Sequence, residues 1–179
     1  LSATDAWQPS LTGTTEPERL EGLRDPASFF RTLAVLPAVG RTFDSSEDTP
    51  GSVRVAILSD RLVKRRFAGE TAIVGASILL DAESYRIVGV MPAGFVDVTA
   101  PAADVWAPLR AQPRAIPNSR EWGHHYGIVG RLRSGVEVDD ARSELAGIAS
   151  GPVAEFPRVP WAALKNGLAV RGLQEDITA

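Results

Sequence analysis

The chain of 179 residues has no cysteine, one methionine (Met91) and only two histidines, the adjacent pair His124 and His125. Without thiols there are no disulfides, no thiolate metal sites and no cysteine nucleophile, although the compartment stays open. No apolar run approaches the ~18 residues that cross a bilayer, and no secretory leader opens the chain. An excess of one charge is also lacking. The 19 Lys+Arg against 22 Asp+Glu leave a net charge of -3, so no basic field invites nucleic acid or anionic lipid. What remains is an ordinary globular mixture, 44% hydrophobic and 23% charged. Its length suits one domain or two small subdomains around a real core. Because it opens at Leu1, carries its only methionine at Met91 and stops at QEDITA, it is expected to be a piece of a longer polypeptide.

Residues 1–24 are polar, with weak periodicity, and suggest one extended segment and turns. Asp25-Pro26 reads as an N-cap with proline at the first helical position. Phe29, Phe30 and Leu33 then share a helical face, and Pro37 is expected to stop the helix. DSSEDTPGS is a loop by composition. Alternation over 53–57 reads as a strand, and Ser59 caps a short helix, 60–67, that buries Leu62, Val63 and Phe67. ASILLDAESYRIVGVM reads as a hairpin with strands 76–80 and 85–91. In the second strand Tyr85, Ile87, Gly89 and Met91 share one face and Arg86, Val88 and Val90 the other. From Ile87 onward both faces are apolar or small, which predicts a central strand covered on both sides. Most of 97–123 reads as a proline-rich connection. A strand over 125–132 follows, with Tyr126, Ile128 and Leu132 on one side, then a turn at Ser134-Gly135. Helix 138–150 has Val138, Ala141, Leu145 and Ile148 as its buried stripe. Alternation over 168–173 closes a β-α-β unit.

The candidates for chemistry each meet a plainer account. Neighbouring residues on a strand point to opposite faces, so His124 and His125 do not share one metal. Asp44, Glu47 and Asp48 lack the ligand alternation and bend glycine of a calcium loop, and suit a solvated turn. Lys64-Arg65-Arg66 is a basic triplet on the outer flank of helix 60–67, with no basic tract to extend it. There is no G-x-S-x-G elbow, and glycines 69, 75, 89 and 94 form neither a dinucleotide fingerprint nor a P-loop. Asp139-Asp140 falls in a first helical turn, where carboxylates favour the dipole. The residues assemble into no reaction and imply no cofactor or metal. They argue for a binding or structural module.

In order along the chain, DPASFFRTLAVLPAVGRTF, VRVAILSDRLVKRRFAGETAIVGASILL, YRIVGVMPAGF, ADVWAPL and YGIVGRLRSGVEVDDARSEL form a recognisable series. Together they resemble the periplasmic core domain of MacB-type, FtsX-family ABC transporter permeases, in the flavour of the duplicated orphan permeases of acidobacteria. The resemblance is good over 25–150 and reaches weakly to both ends. It implies an α+β fold in which the two chain ends build a porter-like β-α-β part around a small inserted α+β subdomain. Carried onto this chain, 1–40 and 104–179 are the porter-like part, 41–98 the inserted subdomain and 99–103 the connection. The N-terminal strand of the porter-like part is not evident in 1–24 and is expected to lie outside the chain. Relatives commonly turn their hairpin with Asn-Gly. Asp81-Ala82-Glu83-Ser84 has no glycine, so a wider turn is expected.

The resemblance further implies an extracytoplasmic segment of a bacterial inner-membrane permease, non-catalytic and without cofactor. It would transmit movement driven by ATP bound on a separate subunit or domain, and dock a periplasmic adaptor or lipoprotein, with a homodimer in the full-length form. Trp122 and Trp161, in loops punctuated by proline or glycine, are candidate partner-binding residues because tryptophan is enriched at binding hot spots. The alternative is an independent secreted module with a deep apolar pocket for a small ligand. A hydrolase would need a nucleophile beside a base, which no motif supplies.

Overall fold

The computed structural model describes residues 1–13, 16–69, 71–110, 126–151 and 170–173. Its centre is set by three strands that are covered on both faces over all or half of their length. They are β6 (Val55–Leu58), β8 (Glu83–Val90) and β9 (Val105–Pro108); β6 and β9 are buried at every position, and β8 at every position from Ile87 to Val90. Side chains alternate across a strand, so each feeds two cores. Ala56, Leu58, Ile87, Val105 and Ala107 join Leu11, Leu62, Val63 and Leu80 on one face, while Val55, Ile57, Val88 and Trp106 join Phe29, Phe30, Phe43 and Met91 on the other. This matches the sheet-centre role expected for the segment after Ile87.

The other strands extend outward from this centre. They are β1 (Ser2–Trp7), β2 (Ser10–Thr12), β3 (Glu18–Arg19), β4 (Gly22–Asp25), β5 (Val39–Gly40), β7 (Ser77–Leu80) and β10 (Tyr126–Val129). The order is β10-β1-β4-β9-β6-β8-β7-β2-β3, with β5 paired to the second half of β8. The β4–β9 and β6–β8 pairs are parallel and the rest antiparallel. Only Pro9 and Gln8 separate β1 from β2, yet they stand six strands apart in the order. The sheet therefore curls until the Trp7 ring lies 5.6 Å from that of Tyr85 on β8. Two expectations are corrected here. The N-terminal strand is present as β1, with β4 beside it, and DVWAPL is a central strand and not a connection.

The β8 face assignment also changes. In the parallel β6–β8 pair the register jumps between Ala56 and Ile57, so that Val88 is the extra residue of a bulge. Beyond it the parity inverts: Val90 joins the face of Tyr85 and Ile87, and Met91 joins that of Val88. Gly89 sits where the chain before β6 crosses closest. A Cβ there would meet the Arg41 carbonyl at 2.7 Å and Pro37 at 3.2 Å. The hairpin turn is tighter than expected. Leu80 faces Glu83 directly, leaving a two-residue turn, Asp81-Ala82, with φ of 53° and 63°. Both residues occupy the left-handed region without being glycine, at a cost of about 1 kcal/mol or more each. Asp81 offsets that cost by stapling the β1–β2 corner: its carboxylate accepts from Ser10 N–H (2.9 Å) and Trp7 Nε1–H (3.2 Å), and its own N–H donates to the Ser10 carbonyl.

Helix α1 (Phe29–Leu33) buries both phenylalanines, but its ends differ from expectation. Ser28, not Asp25, is the N-cap residue, since Asp25 ends β4 inside the core. Left-handed Ala34 (φ 57°) ends the helix ahead of Pro37, with Val35 N–H returning to the Phe30 carbonyl. Helix α2 (Asp60–Arg66) starts as expected, Ser59 Oγ accepting from Leu62 N–H at 3.0 Å. The strand expected over 53–57 begins two residues later, and Val53 is exposed.

The chain divides into two compact units, one holding all ten strands and the other helix α3 (Val138–Ser150). Within the second, Glu137 and Asp140 cap α3 reciprocally, and Arg142 donates to the Val170 carbonyl. The covered stripe is Val138, Ala141, Leu145 and Ala149, with Ile148 exposed, so the fourth position of the expected stripe moves by one residue. Strand β10 stops at Val129, short of Leu132. Of the last expected strand, 168–169 lie outside the described residues and 170–173 are not a strand.

Two substitutions in the hairpin have opposite expected signs. Gly89→Ala forces β5 away from β8 and costs about 2 kcal/mol or more. Ala82→Gly relieves the turn and gains about 0.5–1 kcal/mol. Urea unfolding of the two variants beside the parent checks both.

Candidate functional site

Strand pairing brings one set of ends together: the C-terminal ends of β4 and β9 and the N-terminal ends of β6 and β8. A cavity of about 260 Å³ opens there, lined by Arg24, Arg54, Glu83, Tyr85, Pro108 and Arg110. Arg24 projects from β4 with its guanidinium carbon 4.7 Å from the Trp7 ring centroid. Arg54 pairs with Glu83 at 2.6 Å. Arg110 follows β9 with a left-handed φ of 49° and is held at three points. Its N–H donates to Asp48 Oδ1 (2.8 Å), Nε–H to the Glu47 carbonyl (3.2 Å) and Nη2–H to the Val53 carbonyl (2.6 Å). Burial pulls the Arg110 guanidinium below its usual range. The positive charges of Arg54 and Arg24 add to that, against Tyr85 and Asp48, which raise it.

On the opposite face of β4, next to Arg24, Asp25 is fully buried and neither carboxylate oxygen has a hydrogen-bond partner among the described residues. Burial, reinforced by the charges of Asp97 and Asp48, pushes its pKa up to about 8. Its two acidic neighbours are well served. Asp97 accepts from Thr99 N–H and Oγ1–H, Ala100 N–H and Trp106 Nε1–H, and Asp48 from Ala27 and Arg110 N–H.

The other end of the central strands is balanced. Asp104 receives Ser59 Oγ–H (2.9 Å), Arg61 Nε–H (3.0 Å) and Arg65 Nη2–H (2.7 Å). Burial alone would raise the Asp104 carboxyl, but the Arg65, Ser59 and Arg61 bonds and the Arg65 charge hold it below its usual value. Arg65 also clasps Glu18 at 2.7 Å. The basic triplet is thus only in part a solvated flank: Lys64 pairs locally with Asp60, whereas Arg65 and Arg66 reach across to Glu18.

The acidic loop is likewise put to internal use. Asp44 and Glu47 cap the short 3-10 turn Ser45–Asp48, and Glu47 grips Arg41 through both guanidinium nitrogens. Among the described residues no group of His, Asp and Glu is placed to hold a metal ion. His124, His125, Trp122 and Trp161 lie outside the described residues. Where a small-ligand module called for a deep apolar pocket, the cavity described here is small and cationic. Arg24, Arg54 and Arg110 stand far apart in sequence, each isolated among unrelated neighbours, and only the strand order gathers them.

A curled mixed sheet with few helices defines an α+β domain, and several solved structures share that fold. The periplasmic region of MacB from Actinobacillus actinomycetemcomitans superposes with a TM-score of 0.57 at 16% identity, covering 82% of this chain and 64% of that one. A permease-protein domain from Porphyromonas gingivalis gives 0.56 at 16% identity, over 83% and 62%. The extracellular domain of the noncanonic ABC-type transporter YknZ from Gram-positive bacteria gives 0.50 at 16% identity, over 60% and 53%. The chain therefore spans a little over half to nearly two thirds of the length of these structures. A comparison with curated proteins returns no match. The sequence pattern of the MacB-like periplasmic core domain matches residues 2–148, and the chain belongs to that family. The match takes in β1–β4, which the resemblance by motif reached only weakly.

Asp25 generates a pH prediction. Its folded pKa lies above the unfolded value of 3.8, so its contribution is most favourable below about pH 4 and is lost as pH rises through about 8. Asp25→Asn, which mimics the protonated acid, is expected to be more stable than the parent by a few kcal/mol at pH 8 and to match it near pH 4. Thermal unfolding across that range checks the crossing.

Proposed function

We propose that this domain is the extracytoplasmic part of a bacterial inner-membrane ABC-type permease, where it transmits ATP-driven movement and docks periplasmic partners without catalysing a reaction. The family match over 2–148 carries the reading. The likeness in fold to the outer domains of ABC-type transporters supports it. No helix among the described residues is long and apolar enough to cross a membrane, so the spanning segments belong to other parts of the permease on this reading. ATP is bound on a separate subunit or domain. The periplasmic partner is an adaptor or a lipoprotein, and the full-length permease works as a homodimer. Trp122 and Trp161 are proposed as contact residues for that partner.

We further propose the two-part division, with 1–40 and 104–179 porter-like, 41–98 inserted and 99–103 connecting. The strand order supports it. Strands β10, β1, β4 and β9, all from the chain ends, are contiguous, and β6, β8 and β7 from the insert follow them. From the first forty residues, β2 and β5 clasp the insert's β7 and β8, with β3 beside β2. A lever requires a continuous join between its parts, and strand pairing supports one here. Ile57 pairs with Trp106 and Leu58 with Val105 across it, and Asp104 ties both sides together.

The absence of cysteine supplies a clean test of topology. In the full-length protein, with any cysteine outside these 179 residues replaced, Ser134→Cys, placed in an exposed turn, is expected to react with a membrane-impermeant maleimide in intact spheroplasts. Labelling only after lysis would overturn the assignment.

A further inference from the structure

The cavity lining holds three guanidinium groups and one carboxylate, Glu83, which Arg54 takes. Asp48 stands behind Arg110 and accepts its N–H, and Asp5 faces Arg24 across the β1–β4 pair. Arg24 has the Trp7 ring and no acidic partner among the described residues. Arg110 commits Nε and Nη2 to backbone carbonyls, which leaves Nη1 without a partner among them. Gathering like charges in a partly buried cavity costs free energy that a solvated arrangement would avoid. Arg110 also bears a left-handed backbone, held in place by three hydrogen bonds. Strain of this kind concentrates at binding and catalytic positions. All three arginines are mounted on or beside strand ends of the central sheet, so the groups are pre-positioned and not carried on free loops.

We propose that this cavity binds a small oxyanionic ligand, through a phosphate or carboxylate group seated between Arg24, Arg54 and Arg110. Guanidinium forks match both groups with paired N–H donors. At about 260 Å³ the cavity falls below the usual range for drug-sized ligands, and suits a small anion or the anionic head of a compact metabolite. Glu83 competes with the ligand for Arg54, so the site carries its own internal anion at one wall. Tyr85 and the Pro108 ring supply the remaining lining.

The test is a titration of the domain with inorganic phosphate, glycerol 3-phosphate and succinate, each at constant ionic strength against chloride, followed by backbone amide NMR. Saturable shifts centred on residues 24, 54 and 110 are expected for at least one of the three, and the tightest binder assigns the chemistry. Arg24→Gln and Arg54→Gln are each expected to weaken binding about tenfold, the loss of one charge-assisted contact. Glu83→Gln is expected to tighten it severalfold, because it frees Arg54, and this exposed substitution leaves the core untouched. Arg110→Lys keeps the charge but loses the fork, and should weaken binding as well; its amide spectrum reports whether the fold survives. Absence of saturable shifts with all three anions would overturn the proposal. So would equal affinity in the parent and Arg24→Gln, or weaker binding in Glu83→Gln.

Discussion

The burial of β6, β9 and the second half of β8 on both faces is the constraint from which the remaining architecture follows. A strand covered on one side tolerates alternation, but a strand covered on both needs apolar residues throughout and neighbours on both edges to satisfy its backbone. Strand β8 meets the second demand in two ways along its length, pairing with β7 over its first half and β5 over its second, while β6 runs along its other edge. Accepting β5 so closely is what fixes Gly89, since any side chain would strike the backbone of Arg41. The bulge at Val88 is part of the same solution. It turns Val90 into one core and Met91 into the other, so both remain fed where the partner strand changes.

With the middle of the sheet wholly apolar, polar structure is confined to the strand ends, and aspartate does most of that work. Asp81 fastens the hairpin turn to the β1–β2 corner, Asp48 fastens the segments after β4 and after β9, Asp97 holds the Trp106 indole, and Asp104 gathers Ser59, Arg61 and Arg65. A short carboxylate reaches backbone N–H groups two or three residues away or across a turn with little entropy to lose. These staples fix where the chain leaves the core, and hence where the arginines at the strand ends point.

Elements with a single covered face were legible in the sequence. Helix α2 announced its cap at Ser59, α3 its boundaries at 138 and 150, and the hairpin its two strands. Strand β9 was not, because VWAP has no alternation to detect and contains a proline, tolerated here at the very end of the strand. Strand β1 was hidden for the opposite reason: SATDAW is polar and small, and it pairs because β4 and β10 lie on either side of it. Asp25 looked like a helix cap because Asp-Pro is a common one, yet β4 claims its backbone and the core its side chain. The tight turn at Asp81-Ala82 breaks the usual demand for glycine, and only its contacts to Trp7 and Ser10 explain why that is tolerated. The arginine cavity left no local mark, since each of its three arginines comes from a different segment.

The two ends of the central sheet are electrostatically unlike, and this asymmetry is where the fold touches function. At one end Asp104 and Glu18 between them engage all three arginines of α2, and the Asp104 carboxylate is held ionised by three donors. At the other, three arginines surround one glutamate on one side of the sheet, while a buried, unpartnered Asp25 sits on the opposite side. Arg24 and Asp25 are consecutive, but the pleat sends them to opposite faces, so the pair does not cancel. Neither imbalance is needed to build the sheet, since at the Asp104 end every arginine of α2 has a carboxylate partner. A protein retains uncompensated charge and a strained Arg110 where something outside the chain completes them. The end formed by β4, β9, β6 and β8 is therefore the face of this domain on which a ligand acts, whereas the Asp104 end has its carboxylates engaged within the chain.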